Sequence, residues 1–138
     1  MIAQDLRFED IAVGARAAFT KIIEVKDVDQ FALLSGDHNP LHVDENYARA
    51  TSFQKRVVHG MLLGAYVSQL LGMHLPGKRC LILSLNFGFH KPVFVEDTIA
   101  VQGEVMNKSE STKILEISVI LRRGEDIVAK ADAKVQVL

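Results

Sequence analysis

Gly60-Met-Leu-Leu-Gly-Ala-Tyr-Val-Ser-Gln-Leu-Leu71 says more about the architecture of this chain than any other stretch, and Gly72 follows it. The stretch is long enough for three helical turns and is apolar almost all round. A helix of that composition is buried on most sides instead of lying on a surface. It would be about 18 Å long, whereas the hydrocarbon core of a bilayer is roughly 30 Å thick. We therefore expect a buried central helix and no membrane partner.

Downstream of this helix the period of the apolar residues changes to two. Leucine or phenylalanine occupies every second position from Leu81 to Phe89, which is the pattern of a strand. Further strands are predicted at residues 98–106, 113–122 and 127–137, with breaks at residues 107–111 and at a tight hairpin turn over residues 123–125. Short connections favour antiparallel pairing. The pattern predicts an α+β fold in which an antiparallel sheet wraps the helix, and dimerisation would extend that small sheet.

Upstream of the central helix, the sequence predicts one strand and two helices. The strand is predicted at residues 18–25. We expect Asp27 to cap the first helix, with Gln30 as its capping-box partner, and Gly36 to stop that helix. Asp44 is predicted to cap a second, short helix that ends near Ala50.

The composition is that of an ordinary globular domain, with 49% hydrophobic and 24% charged residues. No repeat or linker divides the chain, so we expect one domain over residues 1–138. Sixteen basic and seventeen acidic residues leave a net charge of -1, which predicts no nucleic-acid partner. Asp5, Glu9 and Asp10 stand where a signal peptide would be apolar, and Cys80 has no disulfide partner in the chain. We therefore expect a cytoplasmic protein.

The stretch Ser35-Gly-Asp-His-Asn-Pro-Leu-His-Val-Asp44 is the first candidate for a functional site. Pro40 disfavours a helical conformation at Asn39, so the first helix should end before it. Asp37 and His42 are therefore predicted to lie in a loop between two helices, where functional side chains are common. In the alternative interpretation, Asp37 and Asn39 only form side-chain turns and His42 only packs.

The beginning of the central helix is the second candidate. It has no Ser, Thr, Asp or Asn at the cap position and no acid in its first turn. Its first N–H groups thus have no evident local acceptor, and Gly60 has no Cβ to keep a ligand away. Such a helix end can bind a carbonyl oxygen that becomes negative during a reaction. In the alternative interpretation, water or a passing loop caps the helix end. Ser68, further along the same helix, is either a serine that hydrogen-bonds to the helix backbone or a hydroxyl that lines a pocket.

A metal site is the third candidate, because Asp37, His38, His42 and His59 are all possible ligands. His38 and His42 form a helical i,i+4 pair only if Pro40 is ignored. Cys80 has no partner at the spacing of a zinc site. We therefore predict no metal.

Together, the first two candidates suit one type of reaction. Adding water across a double bond conjugated to a thioester carbonyl needs a base for the water, an acid for the α-carbon and donors for the enolate oxygen. Asp37, His42 and the Gly60 N–H would supply such a set.

The same residues closely resemble the (R)-specific enoyl-CoA hydratases of the MaoC-like family. The Asp-x4-His core with Asn-Pro between its ends is the most specific part of the resemblance, which extends from about Phe8 to the C-terminus. The matching motifs are Ser35-Gly-Asp-His-Asn-Pro-Leu-His42, Val58-His-Gly-Met-Leu62, Leu75-Pro-Gly-Lys78 and Lys91-Pro-Val-Phe94.

The resemblance implies a hot-dog fold and a homodimer that binds an acyl-CoA thioester near the subunit interface, with no cofactor. Asp37 and His42 match the catalytic pair that activates one water for syn addition, and Gly60 matches the residue whose N–H binds the thioester carbonyl. Asn39 matches a residue that shapes the loop, and Ser68 matches a pocket hydroxyl. The implied reaction is the reversible hydration of trans-2-enoyl-CoA to (R)-3-hydroxyacyl-CoA.

Three alternatives remain at this stage. The first is a 3-hydroxyacyl thioester dehydratase that acts on acyl carrier protein. The second, a thioesterase of the same fold, is disfavoured because the Asp-x4-His loop before the central helix is the hydratase pattern. The third is a non-catalytic acyl-CoA-binding dimer, which would have no need of an acid–base pair.

Overall fold

A computed structural model describes all 138 residues, and its elements follow the predicted order. The strands are β1 (Arg16–Ile22), β2 (Cys80–Phe89), β3 (Thr98–Ser109), β4 (Ile114–Arg123) and β5 (Asp126–Val137). The helices are α1 (Val25–Ser35), α2 (Pro40–Val43), α3 (Glu45–Ala50) and α4 (Gly60–Gln69). A 3-10 turn (Phe8–Asp10) precedes β1, and a π-helical turn (Leu70–His74) continues α4.

The five strands form one antiparallel sheet in the order β1-β3-β4-β5-β2. The predicted tight turn before β5 is confirmed: Gly124 has a φ of 59°, a left-handed conformation that favours glycine. The predicted break at residue 107 is wrong, because β3 continues to Ser109. A register shift between Val105 and Asn107 interrupts the alternation there without ending the strand.

Helix α4 packs against the inner face of the sheet, so the predicted α+β hot-dog architecture is confirmed. Leu63 and Val67 of α4 are buried, and Leu70 in the turn that follows is fully buried. Leu70 lies so close to β3 that a Cβ on Gly103 would be 2.5 Å from the Leu70 Cδ2. The helical segment runs past its predicted end at Leu71, because the π-helical turn extends it to His74. No helix has both the length and the apolar character required to cross a membrane.

The start of α1 differs from the prediction. Its N-cap is Glu24, whose side chain accepts from the backbone N–H of Asp27, while the Asp27 carboxylate accepts from the Glu24 N–H. Asp27 is therefore the third residue of the helix and not its cap, and Gln30 is not its capping partner. The predicted stop is confirmed, because Gly36 is left-handed with a φ of 79°. The predicted cap at Asp44 is also confirmed, since its carboxylate accepts from the Tyr47 N–H of α3.

Candidate active site

A series of side-chain hydrogen bonds between residues close in sequence shapes the segment after α1. The Ser35 hydroxyl donates to the Phe31 carbonyl and accepts from the Asp37 N–H. The Asp37 Oδ1 accepts from the Asn39 N–H at 3.2 Å. The Asn39 Oδ1 in turn accepts from the Leu41 N–H and caps α2, which has a proline as its first residue. The predicted loop position of His42 is therefore wrong, because His42 lies in this one-turn helix.

One ring nitrogen of His42 is occupied by the backbone. Its Nδ1 is 2.7 Å from the Val57 carbonyl oxygen, which can only accept. In the neutral ring, Nδ1 therefore carries the proton and Nε2 has a free lone pair. The Arg56 guanidinium donates to the His42 carbonyl and also bonds Asp29 of α1, and this contact ties α2 to its neighbours.

Asp37 and His42 face each other across a gap of one water molecule. The Asp37 Oδ2 is 4.0 Å from the His42 Nε2, too far for a direct hydrogen bond. A water about 2.8 Å from each atom would meet them at an angle of about 90°, within the range of water geometry. The His42 side chain is 15% exposed and that of Asp37 is 53% exposed. The pair is therefore accessible to solvent, and the distance between its two atoms has room for one bridging water.

The N-terminus of α4 is open, as predicted. Its N-cap is His59, whose side chain makes no capping hydrogen bond. The first two amides, those of Gly60 and Met61, have no acceptor within the helix, and no turn or loop carbonyl takes their place. The helix dipole adds positive potential at this end. The arrangement suits an oxygen that gains negative charge.

Two clefts meet at Gly60. One has a volume of about 350 Å³ and includes His42 in its lining, while the other has a volume of about 280 Å³ and includes Asp37. Phe89, at the end of β2, lines both clefts. Its ring packs on Gly60, where a Cβ would be 3.2 Å from the Phe89 Cε1. The two members of the pair thus line adjoining clefts that share the same helix end.

Asn39 and Ser68 lie outside both clefts. Asn39 is exposed, and its side chain caps α2. Ser68 is exposed on the side of α4 that also carries Met61 and Ala65. A single chain therefore does not bring Ser68 together with Asp37, His42 and Gly60.

His59 is the site residue whose position the sequence did not predict beyond a possible metal ligand. It is 2% exposed, and burial lowers the pKa of its imidazole. Ligand atoms of Asp37, His42 and His59 lie within 4.8 Å of one another. However, the His42 and His59 rings are stacked at 29° with their centres 3.9 Å apart. A bound ion lies in the plane of each ligating ring, so two nearly parallel rings do not point to one metal position.

This fold and site define a class of protein: a hot-dog protein with a carboxylate–imidazole pair at the open end of its central helix. Within that class, the family model described as "MaoC like domain" matches residues 8–124, and the chain belongs to this family.

Three known proteins illustrate the similarity. The chain is 36% identical to the (R)-specific enoyl-CoA hydratase of Aeromonas caviae, over 93% of this chain and 96% of that protein. It is 33% identical to the 3-hydroxybutyryl-CoA dehydratase of Methylorubrum extorquens, over 96% of this chain and 84% of that protein. The solved R-hydratase PhaJ1 from Pseudomonas aeruginosa superposes with a TM-score of 0.94 at 31% identity, covering 98% of this chain and 87% of that one. The chain is accordingly an enzyme of the hydratase class, a lyase.

Proposed function

We propose that this protein catalyses the reversible, (R)-specific hydration of trans-2-enoyl-CoA to (R)-3-hydroxyacyl-CoA without a cofactor. One observation carries the proposal: the Asp37 Oδ2 and the His42 Nε2 are 4.0 Å apart beside the unbonded amide of Gly60. The similarity to a hydratase and to a dehydratase supports it, because the two names describe opposite directions of such a reaction.

In the proposed mechanism, one water sits between Asp37 and His42 and attacks C3 of the enoyl thioester. The new C3–O bond pushes the double-bond electrons toward the thioester carbonyl. The resulting enolate oxygen is stabilised by the Gly60 N–H and by the dipole of α4. The proton lost by the water passes through the Asp37–His42 pair to C2, on the face that received the hydroxyl. The addition is therefore syn, and no proton is gained or lost overall.

The contact between His42 and Val57 supports the role of the imidazole. Because the Val57 carbonyl accepts from Nδ1, the basic nitrogen of neutral His42 is the one on the side of Asp37. Asn39 is proposed to hold the pair in place by capping α2, without touching the substrate.

We further propose that the active form is a homodimer, with acyl-CoA bound near the subunit interface. Strand β2 ends the sheet, with β5 as its only partner, so its outer edge is free for a second copy. Leu81 and Leu83 of this strand are 45% and 48% exposed, as expected of a surface that a partner covers. Ser68 lies on the exposed side of α4, and we propose that it lines the acyl pocket of the assembled dimer. The cytoplasmic location stays a prediction from the sequence.

The test is the hydration of crotonyl-CoA by the purified protein, followed by determination of product chirality. We expect an (R)-3-hydroxy product and a large loss of turnover in Asp37→Asn. Faster turnover of the acyl carrier protein thioester than of the CoA thioester would favour the dehydratase alternative. If CoA thioesters raise the melting temperature but are never hydrated, the protein is a binding dimer and the proposal is wrong.

A further inference from the structure

We infer that His59 is a positioning residue, which fixes Asp37 and His42 relative to each other and to the end of α4. This inference rests on the proposed function. His59 contacts both members of the pair.

The first contact is a hydrogen bond to the backbone of Asp37. The His59 Nε2 is 2.9 Å from the Asp37 carbonyl oxygen, so Nε2 is the protonated nitrogen and donates. This bond joins residues 22 positions apart. The Asp37 carboxylate itself accepts one hydrogen bond, from the Asn39 N–H, and this bond is exposed to solvent. The His59 bond is therefore the buried anchor of the segment that carries the carboxylate.

The second contact is with the His42 ring. The two imidazoles are stacked with their centres 3.9 Å apart, and the Phe31 ring packs on His59 at 4.9 Å. Interiors are close-packed, so a ring held in this way limits the rotation of the ring stacked on it. His42 is thus fixed by Val57 through its Nδ1 and by His59 through its face.

His59 is suited to this position because it stays neutral. With the proton on Nε2, its Nδ1 is an acceptor, and this buried atom has no hydrogen-bond partner. A second proton there would create a buried N–H with nothing to bond. A neutral ring can stack on His42 without opposing any positive charge that His42 gains while it carries a proton.

The third link is covalent, since His59 is the N-cap of α4 and directly precedes Gly60. A change in the backbone at His59 would therefore shift the amide proposed to bind the enolate oxygen, and a displacement of its ring would disturb the pair proposed to bind water. Enzymes are sensitive to such displacements, and a misplacement of about 1 Å can cost about 100-fold in rate.

The matched test is His59→Gln against His59→Asn. Both remove the ring, but the Gln amide nitrogen takes the place of Nε2 whereas the Asn nitrogen takes the place of Nδ1. We expect Gln to keep kcat for crotonyl-CoA within about tenfold of wild type and Asn to lower it by about 100-fold, with KM changed less than about threefold in both. His59→Phe keeps a stacked ring without the donor, and we expect its kcat to fall as in Asn.

The outcomes separate the two proposals. Equal kcat values in the Gln and Asn variants, or a Phe variant with wild-type kcat, would overturn the positioning role and leave the hydratase function intact. If the polar variants do not fold, as judged by circular dichroism, the Phe variant decides alone. A wild-type protein that hydrates no enoyl thioester would overturn both.

Discussion

The sharpest prediction concerns the coupling between Asp37 and His42. The variants are Asp37→Asn, His42→Asn and the double mutant. In the first, the amide oxygen still accepts from the Asn39 N–H. In the second, the amide nitrogen replaces the Nδ1 donor to Val57. The Asp37 carboxylate is 53% exposed and 4.0 Å from His42, so Asp37→Asn should cost only about 0–1 kcal/mol of folding free energy.

The effect on catalysis should be far larger than the effect on stability. Loss of a positioned general acid or base lowers turnover by about 100- to 10,000-fold, which corresponds to about 3–5 kcal/mol of transition-state stabilisation. Because both groups are proposed to bind the same water, removing the second group should lower turnover little further. We expect kcat of the double mutant to lie within about threefold of the slower single mutant.

The assay is the initial rate of crotonyl-CoA hydration, followed by the loss of ultraviolet absorbance of the conjugated thioester. Melting temperatures confirm that each variant folds. Asp132→Asn is the matched control, since Asp132 is an exposed carboxylate on β5 outside both clefts and should leave kcat unchanged. Two losses that multiply in the double mutant would mean that the groups act independently, and the shared-water mechanism would then be refuted.

Three further predictions concern Gly60, Gly77 and His59. Gly60→Ala puts a methyl group 3.2 Å from the Phe89 Cε1, where the two clefts meet. The exposed Phe89 ring can move aside, so we expect little change in melting temperature. Because the methyl group occupies the cleft beside the open amide, we expect kcat/KM to fall by about tenfold or more. Gly77→Ala should destabilise the fold by about 2 kcal/mol or more in urea unfolding, because φ is 88° and the Cβ would lie 2.1 Å from the Gln4 carbonyl oxygen; a normal midpoint would contradict the packing. Burial lowers the pKa of His59 in the folded protein, so this imidazole binds a proton more tightly in the unfolded chain. The free energy of unfolding should therefore fall as the pH drops below 6.5, the ordinary pKa of histidine. His59→Gln should flatten the dependence of stability on pH in this range. Parallel pH profiles of the two proteins would count against a buried neutral imidazole.

Periodicity predicted the fold because the signals are long. The twelve mostly apolar residues from Gly60 to Leu71, and four strands of ten to twelve residues, leave little ambiguity between helix and sheet. The predictions were wrong at element boundaries, where a single residue determines whether a helix or strand begins or ends. The bulge in β3 resembles a strand end, and Glu24 is an unusual cap, so Asp27 was the better candidate by type. The one-turn helix α2 was missed although Asn39 and Pro40 form a typical cap and first residue.

The sequence indicates the chemical groups of the site, but it does not predict the contacts that hold them in position. Asp37, His42 and Gly60 stand in two short motifs, whose residue types indicate acid–base work and an open helix end. The structure brings these three residues to one place, and their catalytic roles stay proposals. The placement of His59 was not predictable, because its bond to Asp37 spans 22 positions and its stacking on His42 depends on how α2 packs.

The central claim is that one water, held between Asp37 and His42, supplies both the hydroxyl and the proton on a single face of the substrate. The most direct measurement is hydration of crotonyl-CoA in deuterium oxide, with the relative configuration at C2 and C3 of the product determined by NMR. The proposed mechanism predicts deuterium at C2 on the same face as the hydroxyl, with the (R) configuration at C3. Deuterium on the opposite face, or an (S) or racemic product, would contradict it.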